Sequence, residues 1–181
     1  MAGASTGDTS AVRSKKLALA LGGGASHFLG TPGVPLHLRT RTHPIGAAWS
    51  ARIMWHPEHR LRVGFESGHV HLYSYSIEEP GLEGSLRLTG IPLLLQFAMP
   101  IGEHFEVYAG YGTYRLTSDL EFLGNVRSSF YSQGYAAAVA YELPLRDRCV
   151  LAMELKWMNA FVTRHHILAL QLRVGLDLKK W

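Results

Sequence analysis

Residues 68–79, GHVHLYSYSIEE, gather His69, His71, Ser74 and Ser76 beside Glu78 and Glu79. A hydroxyl, an imidazole and a carboxylate are the parts of an enzyme that hydrolyses or transfers acyl groups. They work when the base reaches the nucleophile and a third group orients the base. The spacing argues against that use. His71 and Ser74 are three residues apart, so on a strand they face opposite sides, whereas His71 and Tyr73 share one. No catalytic residue is assigned on this pattern.

Ten histidines offer a second chemistry. Six of them, His27, His43, His69, His71, His165 and His166, fall toward one end of the strands described below. Imidazole suits zinc or copper. No compact ligand spacing supports a metal, and neither a metal nor a cofactor is expected.

A third set is ionic. Arg52, Arg62, Lys156 and Arg173 stand against Glu66, Glu106, Glu142, Glu154 and Asp177, all at alternate positions in runs that otherwise carry Gly, Ala and Ser. Too small for a solvated exterior, such a face suits a narrow interior in which charges of both signs neutralise one another. The expected contacts are Arg52 near Arg62 and Glu66, and Glu154 with Lys156 beside Glu142 and Arg173.

These sets must be positioned by strands. The pattern of period two recurs over Lys16–Phe28, Ala47–Trp55, Leu61–Tyr75, Leu88–Met99, Phe105–Tyr114, Phe130–Leu143, Cys149–Trp157 and Ile167–Trp181. The last run puts Leu168, Leu170, Leu172, Val174, Leu176 and Leu178 on one face. Short turns at His56–Arg60, Pro100–His104 and Pro144–Arg148 alternate with longer polar stretches, an up-and-down meander. Residues 1–15 are expected to be a flexible polar leader and 16–181 one barrel.

Composition narrows the setting. The chain has 181 residues, is 18% charged and carries 19 glycines, a net charge of +4 and a single cysteine. A charged fraction below the roughly 25% usual in soluble domains leaves little to face water. One cysteine excludes an internal disulfide. The basic residues are scattered, and nothing points to a nucleic-acid partner. No apolar run reaches the ~20 residues of a membrane-spanning helix.

Eight strands with one apolar face can close as a soluble lipocalin-like barrel with the apolar face inside, or as a transmembrane barrel with that face in lipid. The small-and-charged second face favours the transmembrane arrangement. Aromatic residues agree with two interfacial belts: Trp55, Phe97, Phe105 and Tyr141 toward the short turns, and Tyr73, Tyr75, Tyr131 and Trp157 toward the loops. The expected fold is therefore all-β, an eight-stranded antiparallel up-and-down transmembrane β-barrel with a filled polar lumen.

In LALALGGGASHF, GIPLLLQF, VYAGYGTY, GYAAAVAYEL and the terminal RVGLDLKKW, the chain resembles the small eight-stranded outer-membrane β-barrels of Gram-negative bacteria. The final aromatic of that family usually shares the outward phase. Trp181 falls in the opposite phase to Leu176 and Leu178, so the strand either ends near Leu178 or is reset by a bulge. The resemblance implies an outer-membrane location and contact with outer-membrane lipid and lipopolysaccharide. With no site assigned, the expected role is that of a non-enzymatic structural protein or an accessory subunit of a larger outer-membrane assembly. The small outward residues Ala47, Ala51, Ala109 and Ala137 would let a partner approach closely.

Overall fold

The computed structural model describes residues 15–30, 40–57, 60–79, 82–122, 124–146 and 148–180. The leader, apart from Lys15, and Trp181 lie outside the described residues. The strands are β1 (Lys16–Leu29), β2 (Thr40–His43), β3 (Ile45–His56), β4 (Arg62–Glu79) and β5 (Leu82–Ile101). They continue with β6 (Phe105–Phe122), β7 (Asn125–Arg146), β8 (Cys149–Ala160) and β9 (His166–Lys180). A single 3-10 turn, Phe161–Thr163, joins β8 to β9.

The sheet closes. β1 pairs with β3 and with β9, and the ladder then runs through β8, β7, β6, β5 and β4 back to β3, antiparallel throughout. β2 and β3 are one stave of this eight-stave barrel, broken at Pro44, which has no N–H to give the ladder. The closing register places Asp177 opposite Ala18 and Arg173 opposite Gly22. A register shift at Leu17/Ala18 makes Leu178 an extra residue, so the bulge is what carries β9 on to Lys180.

Alternation decides the two faces. Leu170, Leu172, Val174, Leu176 and Leu178 are exposed while Ala169, Gln171 and Arg173 are buried. On β5 the exposed large apolar residues run from Ile91 to Ile101, the 9–11 residues that a tilted strand needs to cross hydrocarbon. Phe65 and Leu93 are 63% and 61% exposed, which a soluble barrel with an inward apolar face would not tolerate. Trp55, Phe97, Phe105, Tyr141, Tyr131 and Trp157 lie on this outer face.

Tyr73 and Tyr75 do not. In β4, His71 pairs with Thr89 but Tyr73 pairs with Leu88, so Leu72 is an extra residue against β5. This bulge reverses the phase of everything above it. Tyr73 packs inward against Phe28, ring centroids 4.9 Å apart, and Tyr75 sits opposite Leu86, which packs against the same interior cluster.

Two expected loops are mostly strand. β4–β5 continues to the pair Glu79–Leu82, and β6–β7 to Glu121–Asn125 with Gly124 at φ 152° in the turn. Pairing with β8 begins only at Gly134, so Asn125–Gln133 belong to a wall that stands above the rest of the barrel.

Candidate functional site

The lumen has two layers. Toward the short turns, five cations, Lys16, Arg52, Arg62, Lys156 and Arg173, meet five carboxylates, Glu66, Glu106, Glu142, Glu154 and Asp177. Arg52 donates to Glu66 and, at 3.0 Å, to both oxygens of Glu154. Lys156 Nζ reaches Glu66 at 2.6 Å and Glu154 at 3.1 Å. Arg173 spans Glu154 at 2.9 Å and Glu142 at 2.7 Å. Arg62 and the Tyr108 hydroxyl both donate to Glu106, and Lys16 reaches Asp177 at 3.0 Å.

All nine ionic residues named from the sequence lie in this network, and the structure adds Lys16, whose role the strand pattern did not expose. Arg52 also stacks 4.0 Å over the Tyr108 ring, a cation–π contact that covers the guanidinium face. Gln96 donates to Glu66 of the neighbouring strand at 3.2 Å. A methyl at Gly110 would come within 2.7 Å of that amide, so the glycine is the space the side chain occupies.

The second layer departs from the expected polar lumen. Above Gln96 the interior is mainly apolar: Phe28, Val70, Leu72, Leu88, Leu94, Tyr114, Leu116, Met158 and Ile167 form one buried cluster with four alanines. Tyr114 satisfies its hydroxyl by donating to the Tyr135 carbonyl at 3.1 Å. These residues sit at the inward phase of strands that are apolar on both faces, so periodicity alone marks them weakly.

The outer wall carries the remaining polar chemistry. Because the Leu72 bulge reverses the phase, Ser74 joins His71 in lining one cleft, which corrects the expectation that they face apart. The cleft, about 630 Å³, also receives His43, His69, Arg87, Asp119 and Arg127. The His71 ring covers Gly46, where a Cβ would come within 2.1 Å of it. The other end of the rim holds His165, its ring centroid 5.4 Å from that of Phe28, and His166 opposite Leu29. Among the described residues no three His, Cys, Asp or Glu side chains form a metal-sized cluster.

A closed antiparallel barrel with an apolar exterior and an ion-paired interior is a membrane-spanning β-barrel. No family model and no curated protein matches the sequence. Solved structures do. The attachment invasion locus protein Ail of Yersinia pestis aligns over 90% of this chain and 99% of its own at TM-score 0.56 and 12% identity. OprG of Pseudomonas aeruginosa aligns over 90% and 97% at 0.51 and 11% identity. The N-terminal β-barrel domain of OprF, from the same organism, aligns over 91% and 99% at 0.51 and 10% identity. The chain has the fold of small bacterial outer-membrane β-barrels, and its apolar girdle is the physical reason it belongs in a lipid bilayer.

Proposed function

We propose that this chain is a sealed outer-membrane barrel that works from its outer surface, as a structural protein or an accessory subunit of a larger outer-membrane assembly, and is not an enzyme. The observation that carries this reading is the double filling of the lumen. An ion entering from the short turns meets five neutralised ion pairs and then a layer of packed, mainly apolar side chains, which leaves it little polar path.

Function then falls to the girdle and the rim. Ala109 and Ala137 are cross-strand neighbours on the outer face, and Ala47 and Ala51 lie on β3. Such shallow places let a second membrane protein approach the backbone closely. Two measurements test the reading. Reconstituted into planar bilayers the protein gives no conductance steps, and a reproducible open level would sink the sealed-barrel reading. Purified from native membranes in mild detergent it retains a larger membrane protein in fixed proportion, and recovery of the barrel alone would remove the accessory role.

A rim enzyme acting on lipid acyl chains is the second reading, favoured by the bulge that brings His71, Ser74 and Asp119 to one cleft. Equal release of fatty acid from phospholipid vesicles by wild type and Ser74→Ala eliminates it.

A further inference from the structure

We infer that the outer cleft binds the phosphorylated headgroup of a lipid in the adjoining leaflet, an inference that rests on the membrane placement of the barrel but not on its being sealed. The cleft is organised by one row of cross-strand partners. His43 pairs with Ser74, Ser74 with Arg87, Arg87 with Asp119, and Asp119 with Arg127, in unbroken register across β2, β4, β5, β6 and β7. At about 4.8 Å between strands the row is roughly 19 Å long. It is wide enough for a sugar-phosphate headgroup, and the cleft volume lies in the range of ligand sites.

Donors dominate the row. Two arginines and two imidazoles beside it, His69 and His71, face a single carboxylate, Asp119, which holds Arg127 at 3.1 Å. Arg87 is exposed. Glu121, two residues above Asp119 on the same face, adjoins both arginines and accepts from Ser85 outside the cleft; within the cleft the two guanidiniums flank one aspartate, and guanidinium is the group that matches phosphate oxygens in pairs.

Height identifies the source of the phosphate. On β5 the exposed apolar girdle ends at Ile91, Thr89 follows, and Arg87 comes next on the same face. Ile91 to Arg87 is four residues, about 13 Å along a tilted strand. That sets the row in the headgroup layer just above hydrocarbon, where basic side chains meet lipid phosphate. The cleft wall on the β3 side is apolar, with Ile45 65% exposed beside Ala47. A soluble anion has no use for that wall, whereas a lipid can lay its upper acyl and sugar carbons there.

The full chain in phosphatidylcholine nanodiscs doped with bisphosphorylated lipid A, or with its dephosphorylated form, tests this by native mass spectrometry. Wild type retains the phosphorylated lipid in fixed proportion, and Arg87→Ala/Arg127→Ala retains about tenfold less or lower. Arg87→Gln/Arg127→Gln, which keeps side-chain volume, loses it as well and guards against misfolding, which gel mobility before and after heating reports. Arg115→Ala, on the same outer face but outside the cleft, retains it fully. Equal retention of the dephosphorylated lipid, equal retention by the double variants, or equal loss in Arg115→Ala overturns the assignment. If millimolar inorganic phosphate strips the lipid from wild type, the site takes free phosphate and the lipid source is wrong.

Discussion

The two halves of the lumen are filled by opposite physics. Toward the short turns the interior is filled by charges that satisfy one another across the barrel, and toward the loops by apolar side chains that interdigitate. The charged layer is made of contacts distant in sequence: Arg52 meets Glu154, 102 residues on, and Lys156 meets Glu66, 90 residues back. Such pairs can form only in one register, because a one-residue slip would turn the charges of a strand into lipid. The apolar layer is less particular. A slip there would still leave something greasy inside, so the charged half specifies the barrel and the apolar half closes it.

The largest expected effect breaks the charged half. Glu154 is the shared acceptor of Arg52, Lys156 and Arg173. Glu154→Ala leaves three buried cations competing for Glu66 and Glu142, and removing one partner of a buried pair costs about 3–5 kcal/mol. Urea-dependent folding into phosphatidylcholine vesicles, followed by Trp fluorescence, measures it. Glu154→Gln, which keeps an acceptor oxygen, is expected to lose less. A cost for Glu154→Ala smaller than that of any single apolar truncation in the other layer would show that the charges are not what specifies the register.

Leu94 provides that comparison. It is fully buried in the apolar layer and sits directly opposite Glu66 on the neighbouring strand, at the boundary between the two halves. Leu94→Ala removes three carbons from a packed site, and such changes cost about 2–5 kcal/mol according to how far the site collapses. The lower part of that range is expected here, because Leu72, Leu116 and Tyr114 of the same cluster can relax toward the void. Conductance stays at zero, since the charged layer beneath is intact. A leak through Leu94→Ala would mean that the apolar layer alone forms the seal.

The charged half was legible in the sequence and the apolar half much less so, for a physical reason. A charge at an alternate position in an apolar strand has few places to go, so Arg52, Glu66, Glu154, Lys156 and Arg173 announce a lumen. Leu94 and Leu116 announce nothing, because IPLLLQF is apolar on both faces and reads equally well either way round. The bulge at Leu72 was hidden by the same ambiguity. HVHLYSYS alternates cleanly on paper, and an extra residue in it is visible only when His71 pairs with Thr89 and Tyr73 with Leu88. The bulge inverts Tyr73, Ser74 and Tyr75 together relative to a straight alternation. The tall β6–β7 hairpin reads as a loop in the sequence because strands above the bilayer, wet on both sides, have the composition of loops.

The smallest effect belongs to the wall that the bulge orients. Asp119 and Arg127 are paired at 3.1 Å, yet Arg127 is 75% exposed and Asp119 40%. An exposed pair of this kind contributes about 0–1 kcal/mol, and salt screens what it has. Arg127→Ala is therefore expected to leave the folding midpoint nearly unchanged in the same vesicle assay, and to leave it equally unchanged at high salt. The chemistry that makes Glu154 indispensable, a cation and a carboxylate at hydrogen-bond distance, is present at both sites. What differs is water. In the lumen each charge depends on its partner because neither can be solvated, whereas on the wall both are solvated already and remain free to meet a ligand. A loss in Arg127→Ala as large as that in Glu154→Ala would mean that the wall is held together by its ion pair, and would remove the distinction between a layer built for folding and a surface left available for binding.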